Sequence, residues 1–99
     1  MARFDVYRVN RSNTLLVDVQ SDHVDIGTTR VVVPMRATRP SQAPVSKVTP
    51  TLLFDNEPVS LVTPLITSVE LRTLRSPIGS LADQQDIIKD ALDRLLFSY

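Results

Sequence analysis

The stretch LLVDVQ, Leu15–Gln20, decides the fold class, because its side chains alternate in character with a period of two. Aliphatic residues occupy positions 15, 17 and 19, whereas Leu16, Asp18 and Gln20 alternate with them. Successive side chains of a β-strand point to opposite faces, so this alternation is typical of a strand with one buried face. The stretch therefore indicates a protein built mainly from β-strands.

Similar stretches on either side predict further strands. Phe4–Tyr7 alternates in the same way, and the polar residues Asn10–Asn13 are expected to form the hairpin loop before Leu15. Arg30–Met35 is rich in β-branched residues, and Pro34 within it removes a backbone donor from the sheet. Pro34 therefore favours a position at a sheet edge or a bulge.

The middle of the sequence predicts a loop, a second hairpin and one more strand. Thr38–Pro50 contains three prolines and no apolar periodicity, which is typical of a loop. Thr51–Phe54 and Val59–Val62 are apolar segments around the polar residues Asp55–Glu57, so they are expected to pair as a hairpin. Val69–Leu74 alternates again and predicts a strand.

The last part of the sequence predicts a helix over about residues 81–96. Ser80 is expected to cap its N-terminus, with Asp83 three residues later in an approximate capping box. Aspartates fill one side of this helix, and Asp90 and Arg94 are spaced for an ion pair four residues apart. Apolar residues fill the other side at helical spacing: Ile87, Ile88, Ala91, Leu92, Leu95 and Leu96.

The apolar side of this helix is wider than one packing surface requires. At about 100° per residue its six positions cover roughly 180°, whereas a stripe of about 100° is enough to sit on one sheet. Phe97 would fall near about 280° on the same scale, on the acidic side. Two interpretations stay open for Phe97: its ring folds back onto the domain, or it stands free to contact a partner.

The composition fits one compact domain spanning residues 1–99. A hydrophobic fraction of 42% with 22% charged residues is typical of a globular chain. The absence of cysteine excludes disulfides and thiolate ligands, the single histidine cannot build a zinc centre, and two glycines cannot form a phosphate-binding loop. We therefore expect no metal and no cofactor.

The charge balance argues against a direct nucleic-acid partner, because eleven basic and eleven acidic residues cancel. Their distribution is uneven: the first 50 residues hold seven basic and four acidic side chains, which favours an acidic partner for that half. The N-terminal residues do not resemble a signal peptide, and no segment reaches the roughly 20 apolar residues that span a bilayer. A soluble, cytoplasmic protein without membrane contact is expected.

Four segments, in order along the chain, resemble the CcdB family, the plasmid and chromosomal toxins that poison DNA gyrase. The most specific of them contains VDVQSD, Val17–Asp22. The segments are FDVYRV (Phe4–Val9), LLVDVQSDHVD (Leu15–Asp25), TRVVVPM (Thr29–Met35) and IIKDALDRLLF (Ile87–Phe97). The resemblance implies a small SH3-like antiparallel β-barrel with a secondary hairpin sheet and a C-terminal α-helix, which forms a homodimer.

The resemblance also implies a function. Members of the family are toxins of type II toxin–antitoxin systems, with a role in plasmid maintenance, and act in the bacterial cytoplasm. The toxin dimer wedges between the A subunits of DNA gyrase and traps the enzyme on cleaved DNA. It is a topoisomerase poison and not an enzyme, and a CcdA-like antitoxin removes it by wrapping it with a disordered tail.

In this family the gyrase contact ordinarily ends in tryptophan, glycine and isoleucine, where this sequence has Phe97, Ser98 and Tyr99. Phe97 can still stack on an arginine, although indole is the better cation–π face. Ser98 cannot replace a glycine that needs a positive φ without strain. The remaining gyrase-binding positions correspond to His23, Val24, Asp93 and Leu96, and the antitoxin-binding positions correspond to Arg8, Arg11, Arg36, Arg39, Val45 and Lys47.

Two alternatives remain open. The barrel of the MazF-type ribonuclease toxins is similar, and RNA cleavage needs a base, an acid and a cationic stabiliser. His23 beside Asp22 and Asp25, with Arg30 nearby, is the one constellation that offers these groups. The other alternative is a non-toxic relative that binds only the antitoxin, which the altered residues 97–99 favour.

Overall fold

The computed structural model describes residues 2–9, 14–24, 27–38 and 47–97 of the chain. The predicted loop Asn10–Asn13 and most of the predicted loop Thr38–Pro50 lie outside these residues. The described part contains strands β1 (Asp5–Arg8), β2 (Leu15–Asp18), β3 (Thr29–Ala37), β4 (Thr51–Phe54), β5 (Glu57–Leu61), β6 (Thr67–Glu70) and β7 (Gly79–Ser80), followed by helix α1 (Gln85–Leu96).

The strands form one antiparallel sheet in the order β4-β5-β3-β2-β1-β7, with β6 also paired to β3. Strand β3 changes partner along one side, because Thr29–Val32 pairs with β6 and Met35–Ala37 pairs with β5. This exchange curls the sheet into a half-barrel, with β4 and β5 as a hairpin beyond it. The prediction of a mainly β fold with a small barrel, a hairpin sheet and a C-terminal helix is confirmed.

Pro34 lies at the point where β3 exchanges β6 for β5. Its carbonyl accepts a hydrogen bond from the Val62 amide at 2.9 Å. The N–H and C=O of one residue in an antiparallel strand point to the same side, so the donor that Pro34 lacks would face this gap. The strand therefore continues through Pro34 to Ala37 at no cost in ladder hydrogen bonds, although β3 lies inside the sheet and not at its edge.

The β4–β5 hairpin turns through two residues, Asp55 and Asn56, whose φ angles are +51° and +64°. Positive φ at both positions gives the turn that matches the right-handed twist of a hairpin. On the outer edge of β4, the Gln84 side chain pairs with the backbone of Leu53, accepting its N–H at 3.0 Å and donating to its carbonyl at 2.6 Å. This amide occupies an edge that would otherwise be open to another strand.

The predicted start of the helix is wrong. Ser80 pairs with Asp5 of β1, so Gly79–Ser80 is a strand, and Ala82–Gln84 forms a 3-10 turn before α1 begins at Gln85. The Ser80 hydroxyl accepts the Ala82 N–H at 3.2 Å, but no side chain caps the α-helix itself. The predicted strand Val69–Leu74 is also shorter and shifted, because the chain turns into a 3-10 helix after Glu70.

Both faces of the central strands are buried. On one face, side chains of the sheet pack with Leu81, Ile88 and Ala91 to form the main core. On the other face, Tyr7, Leu16, Val32 and Leu74 form a second, smaller cluster. The two faces of Leu15–Gln20 therefore both contact buried clusters. The sequence alternation does not separate a buried face from a solvent-exposed face, as it was expected to do.

Helix α1 packs on the sheet through the centre of its apolar side. Ile88 and Ala91 are fully buried, and Leu92 packs against the core. Ile87 and Leu96, at the two margins of the apolar arc, are 43% and 55% exposed. The predicted ion pair on the opposite side is confirmed, with 2.9 Å between Arg94 Nε and Asp90 Oδ2.

Candidate functional site

The motif VDVQSD ends in a turn that rests on a buried ion pair. Asp18, the last residue of β2, is fully buried, and Arg30 of β3 is 9% exposed. Arg30 Nε donates to Asp18 Oδ2 at 2.9 Å and Arg30 Nη2 donates to Asp18 Oδ1 at 2.8 Å. This hydrogen bonding raises the pKa of Arg30 although burial acts in the opposite direction, so the guanidinium stays charged.

The turn Ser21–Val24 follows directly and carries two of the predicted gyrase-binding residues. The Val24 N–H donates to the Ser21 carbonyl at 3.0 Å, and the His23 N–H donates to the Ser21 hydroxyl at 3.2 Å. His23 and Val24 are both exposed, Val24 by 48%. The backbone of the turn is thus bonded internally while its two candidate side chains point to solvent.

Asp22 fastens the same turn to the rest of the domain. Its Oδ1 accepts the Arg3 N–H at 2.9 Å and lies 3.7 Å from Arg30 Nη2. The Arg3 guanidinium in turn lies 4.9 Å from the centre of the Phe4 ring. The N-terminal segment, the turn and β3 therefore converge on one polar cluster.

The end of α1 carries the other candidate gyrase-binding residues. Asp93 is exposed, Leu96 is 55% exposed, and the Phe97 ring is 69% exposed just after the helix. The Phe97 N–H still donates to the Asp93 carbonyl at 2.8 Å, so the helical hydrogen bonding reaches Phe97, whose own φ of −130° ends the helix. The interpretation that Phe97 folds back onto the domain is wrong for this structure, and Ser98 and Tyr99 lie outside the described residues.

The structure brings the predicted gyrase-binding residues together in two groups. His23 and Val24 share the turn after β2, and Asp93, Leu96 and Phe97 share the end of α1. No hydrogen bond or ion pair within the described ranges joins the two groups. Sequence periodicity offered no signal for the turn, which was identified from the family resemblance, and it did not single out Gln20, Arg3 or Arg30 as its supports.

Of the candidate antitoxin-binding residues the structure describes three, and two of these, Arg8 and Arg36, lie on opposite faces of the sheet. Arg8 pairs with Leu15 and Leu15 pairs with Met35, so Arg8 and Met35 share a face of the sheet. Arg36 follows Met35 and therefore points to the other face. Arg8, Arg36 and Lys47 are exposed, and none forms an ion pair with another residue that the structure describes. Arg11, Arg39 and Val45 lie outside the described residues.

The constellation considered for RNA cleavage is not supported by the geometry. Arg30, its cationic member, is buried, and its guanidinium is occupied by Asp18 and by the carbonyl of Gln20 at 3.1 Å. Asp22 is engaged by the Arg3 amide, and Asp25 lies outside the described residues. A phosphate at His23 would therefore find no free cation from Arg30.

The described ranges contain neither a cluster of metal-ligating side chains nor a membrane-spanning helix. No group of three or more histidine, cysteine, aspartate or glutamate side chains there could hold a metal ion. No helix there has the length and apolar character that crossing a membrane requires.

Tyr7 offers a test of the second apolar cluster. Its side chain is 1% exposed, and its hydroxyl has no hydrogen-bond partner among the described residues. Burial raises the pKa of Tyr7 above its ordinary value of 10.0, and the carboxylates of Asp5 and Asp18 raise it further. A raised pKa in the folded state contributes stability that is present below pH ~10 and is lost as the pH rises toward the folded value.

Replacing Tyr7 by Phe is therefore expected to leave the free energy of unfolding at pH 7 unchanged or to raise it by up to about 1 kcal/mol. It should also reduce the loss of stability as the pH rises above about 10. Urea denaturation of both proteins across this range measures the two effects. A loss of more than about 1 kcal/mol at pH 7 would show that the hydroxyl has a partner.

No curated protein matches this chain. A family model described as CcdB protein matches residues 3–97 and so includes the turn Ser21–Val24 and all of α1 with Phe97. Together with the half-barrel and its terminal helix, this match shows that the chain belongs to the CcdB protein family.

Proposed function

We propose that this protein is the toxin of a type II toxin–antitoxin system and that it poisons DNA gyrase by binding the gyrase A subunit. Membership of the CcdB family supports the class of function. The observation that carries the gyrase contact is the Phe97 ring, 69% exposed at the end of a helix that is docked on the core. The protein makes and breaks no bond itself, and its place of action is the bacterial cytoplasm.

An exposed aromatic ring fixed at a helix end is suited to binding. A buried aromatic side chain removes roughly 150–250 Å² from water and contributes on the order of 1.5–3 kcal/mol. The backbone of Phe97 is already held by Asp93, so little conformational freedom is lost when the ring enters a cleft. Leu96 adds a second exposed apolar side chain beside it.

Trapping requires a preference for one state of gyrase. A ligand shifts an equilibrium only through its difference in affinity for the two states. The toxin must therefore bind gyrase on cleaved DNA more tightly than gyrase on resealed DNA, and each tenfold preference corresponds to about 1.4 kcal/mol. If one aromatic ring is buried only in the cleaved-DNA state, the few kcal/mol that it contributes correspond to a preference of about tenfold to a hundredfold for that state.

The homodimer is part of the same proposal. The 3-10 turn Thr63–Leu65 packs against α1, and Leu65, Ile87 and Leu96 leave apolar surface exposed around this helix. A second copy of the chain would cover part of that surface, which helps a small domain whose own core is limited. The symmetric dimer would also present two copies of Phe97 to the two A subunits of gyrase.

The antitoxin proposal rests on charge and on the position of the basic residues. An acidic, disordered tail that wraps the toxin can reach Arg8 on one face of the sheet and Arg36 on the other, whereas a compact partner could not. Lys47 adds a third exposed cation for such a tail. Direct binding of nucleic acid by the toxin is not part of the proposal.

The experiment compares wild type, Phe97→Ala and a chain truncated after Leu96, in a gyrase-sensitive bacterium and in a gyrase cleavage assay. Wild type should arrest growth with induction of the DNA-damage response, and Phe97→Ala should need at least about tenfold more protein for the same cleaved DNA. Leu53→Ala is the matched control, since Leu53 is 57% exposed and lies on β4. Undiminished poisoning by the truncated chain would contradict the proposed contact.

A second candidate, a relative that binds only antitoxin, is favoured by one observation. The family match ends at Phe97, so Ser98 and Tyr99 lie beyond it. Absence of growth arrest by the wild-type chain, together with tight binding of an acidic antitoxin tail, would establish this candidate. Arrest with degraded transcripts and no cleaved DNA would point to a ribonuclease.

A further inference from the structure

Gln20 connects the exposed turn Ser21–Val24 to the interior of the sheet. Its side chain, in a residue that is 6% exposed, donates from Nε2 to the Val24 carbonyl at 2.6 Å and accepts the Val31 N–H on Oε1 at 3.0 Å. Its backbone N–H donates to Asp18 Oδ1 at 3.0 Å, and its carbonyl accepts from Arg30 Nη2 at 3.1 Å. Both ends of this residue are therefore fixed.

The side-chain amide spans the open end of the turn. The chain leaves β2 at Asp18, passes through Ser21–Val24, and returns in β3, where Val31 lies. One amide bonds Val24, at the end of the turn, to Val31 of β3, so the two arms cannot separate without breaking at least one of these hydrogen bonds. The Gln20 backbone is bonded to the buried Asp18–Arg30 pair, so hydrogen bonds connect the turn to the core through Gln20.

We propose that Gln20 is a positioning residue for gyrase binding, which holds the turn in the shape that presents His23 and Val24. This inference rests on the proposed function. A segment that is ordered before binding loses less conformational entropy when it binds. Fixing the backbone of one residue costs free energy, and this cost is subtracted from the binding free energy. Without the Gln20 side chain the turn must be ordered by gyrase itself, and affinity falls.

The chemistry of the side chain sets the choice of variants. Gln20→Met keeps the length and removes both hydrogen bonds. Gln20→Glu keeps the acceptor for the Val31 N–H, loses the donor, and places a carboxylate oxygen near the Val24 carbonyl. Gln85→Met is the matched control, because the Gln85 amide donates to the nearby Ala82 carbonyl at 3.1 Å and bridges no two segments among the described residues.

The test measures binding of the dimeric toxin to the gyrase A subunit in two backgrounds. Gln20→Met and Gln20→Glu should each weaken binding by about tenfold when His23 and Val24 are present, and Gln85→Met should not. In a His23→Ala/Val24→Ala background the same Gln20 substitutions should change the affinity by less than about twofold. A merely structural role would weaken binding equally in both backgrounds and would overturn the inference.

Hydrogen exchange of the backbone amides separates this inference from the proposed function. The Val24 amide should exchange at least about tenfold faster in Gln20→Met than in wild type, while core amides such as that of Val17 keep their rates. Equal exchange rates of the Val24 amide in the two proteins would overturn the positioning role, irrespective of the result of the gyrase-binding measurement. A wild-type chain that fails to bind the A subunit would overturn the proposed function and with it any role of Gln20 in gyrase binding, whereas the exchange rates would still decide whether Gln20 holds the turn.

Discussion

Replacing Asp18 by Ala, with Arg30 left in place, is expected to lower the free energy of unfolding by about 3–5 kcal/mol. Asp18 is fully buried and Arg30 nearly so, and each guanidinium contact is a charge-assisted hydrogen bond of 2.8–2.9 Å. Removing the carboxylate leaves a buried cation whose remaining partners are the Gln20 carbonyl at 3.1 Å and the exposed Asp22 carboxylate at 3.7 Å. The cost of leaving that cation poorly compensated in the interior, and not the loss of the pair itself, dominates the expected effect.

Two comparisons distinguish this explanation from a general intolerance of substitution at position 18. The double variant Asp18→Leu/Arg30→Met removes both charges and should lose less than the sum of the single variants, because no buried charge is left behind. The exposed Asp90–Arg94 pair has a similar distance of 2.9 Å, yet Asp90→Ala should cost no more than about 0.5 kcal/mol. Urea denaturation of the double variant, of its single variants Asp18→Leu and Arg30→Met, and of Asp18→Ala and Asp90→Ala gives these free energies. Additive losses in the double variant would contradict the explanation.

The burial of Asp18 shows what the local sequence could not predict. Alternation places Asp18 on the same side of β2 as Leu16, and this side was expected to be exposed to solvent. That face is covered because Leu74, more than fifty residues later, packs with Tyr7, Leu16 and Val32. No periodicity within Leu15–Gln20 contains this information, since the covering residue comes from a distant part of the chain.

The helix gives the opposite lesson. Its apolar side and its Asp90–Arg94 pair were predicted from spacing alone, because both depend only on the 3.6-residue repeat. Its start was predicted wrongly, because Gly79–Ser80 pairs with β1 as a strand, and Ser80 is therefore not available to cap the helix. Local signals determined what forms in this segment, and a pairing with residues near the N-terminus determined where it begins.

The candidate site divides in the same way. The helical repeat left two interpretations of Phe97 open, and the structure agrees with the one in which the side chain is exposed. The turn with His23 and Val24 was identified through the family resemblance, because its hydrogen bonds join Arg3, Gln20 and Val31 across the fold. Contacts between residues far apart in sequence produce no periodic pattern. The residues that hold the turn in place, Arg3, Gln20 and Val31, can therefore be identified only from the structure.

The adjacent residues Ile87 and Ile88 provide the second large prediction. Ile88→Ala should lower the free energy of unfolding by about 2–5 kcal/mol, because the side chain is fully buried in the main core and its removal leaves a cavity. Ile87→Ala, the same chemical change one position earlier, should cost less than about 1 kcal/mol in the isolated subunit, because this side chain is 43% exposed.

Denaturation at two protein concentrations makes the comparison decisive. The loss in Ile88→Ala should persist at high dilution, because it arises within one subunit, and a loss below about 1 kcal/mol would contradict the packing described for α1. If a second copy covers the exposed margin of α1, the wild-type chain gains stability with concentration and Ile87→Ala reduces that gain. Since Phe97 follows directly on α1, Ile88→Ala should also weaken gyrase poisoning, whereas Ile87→Ala should do so only where dimer formation limits it.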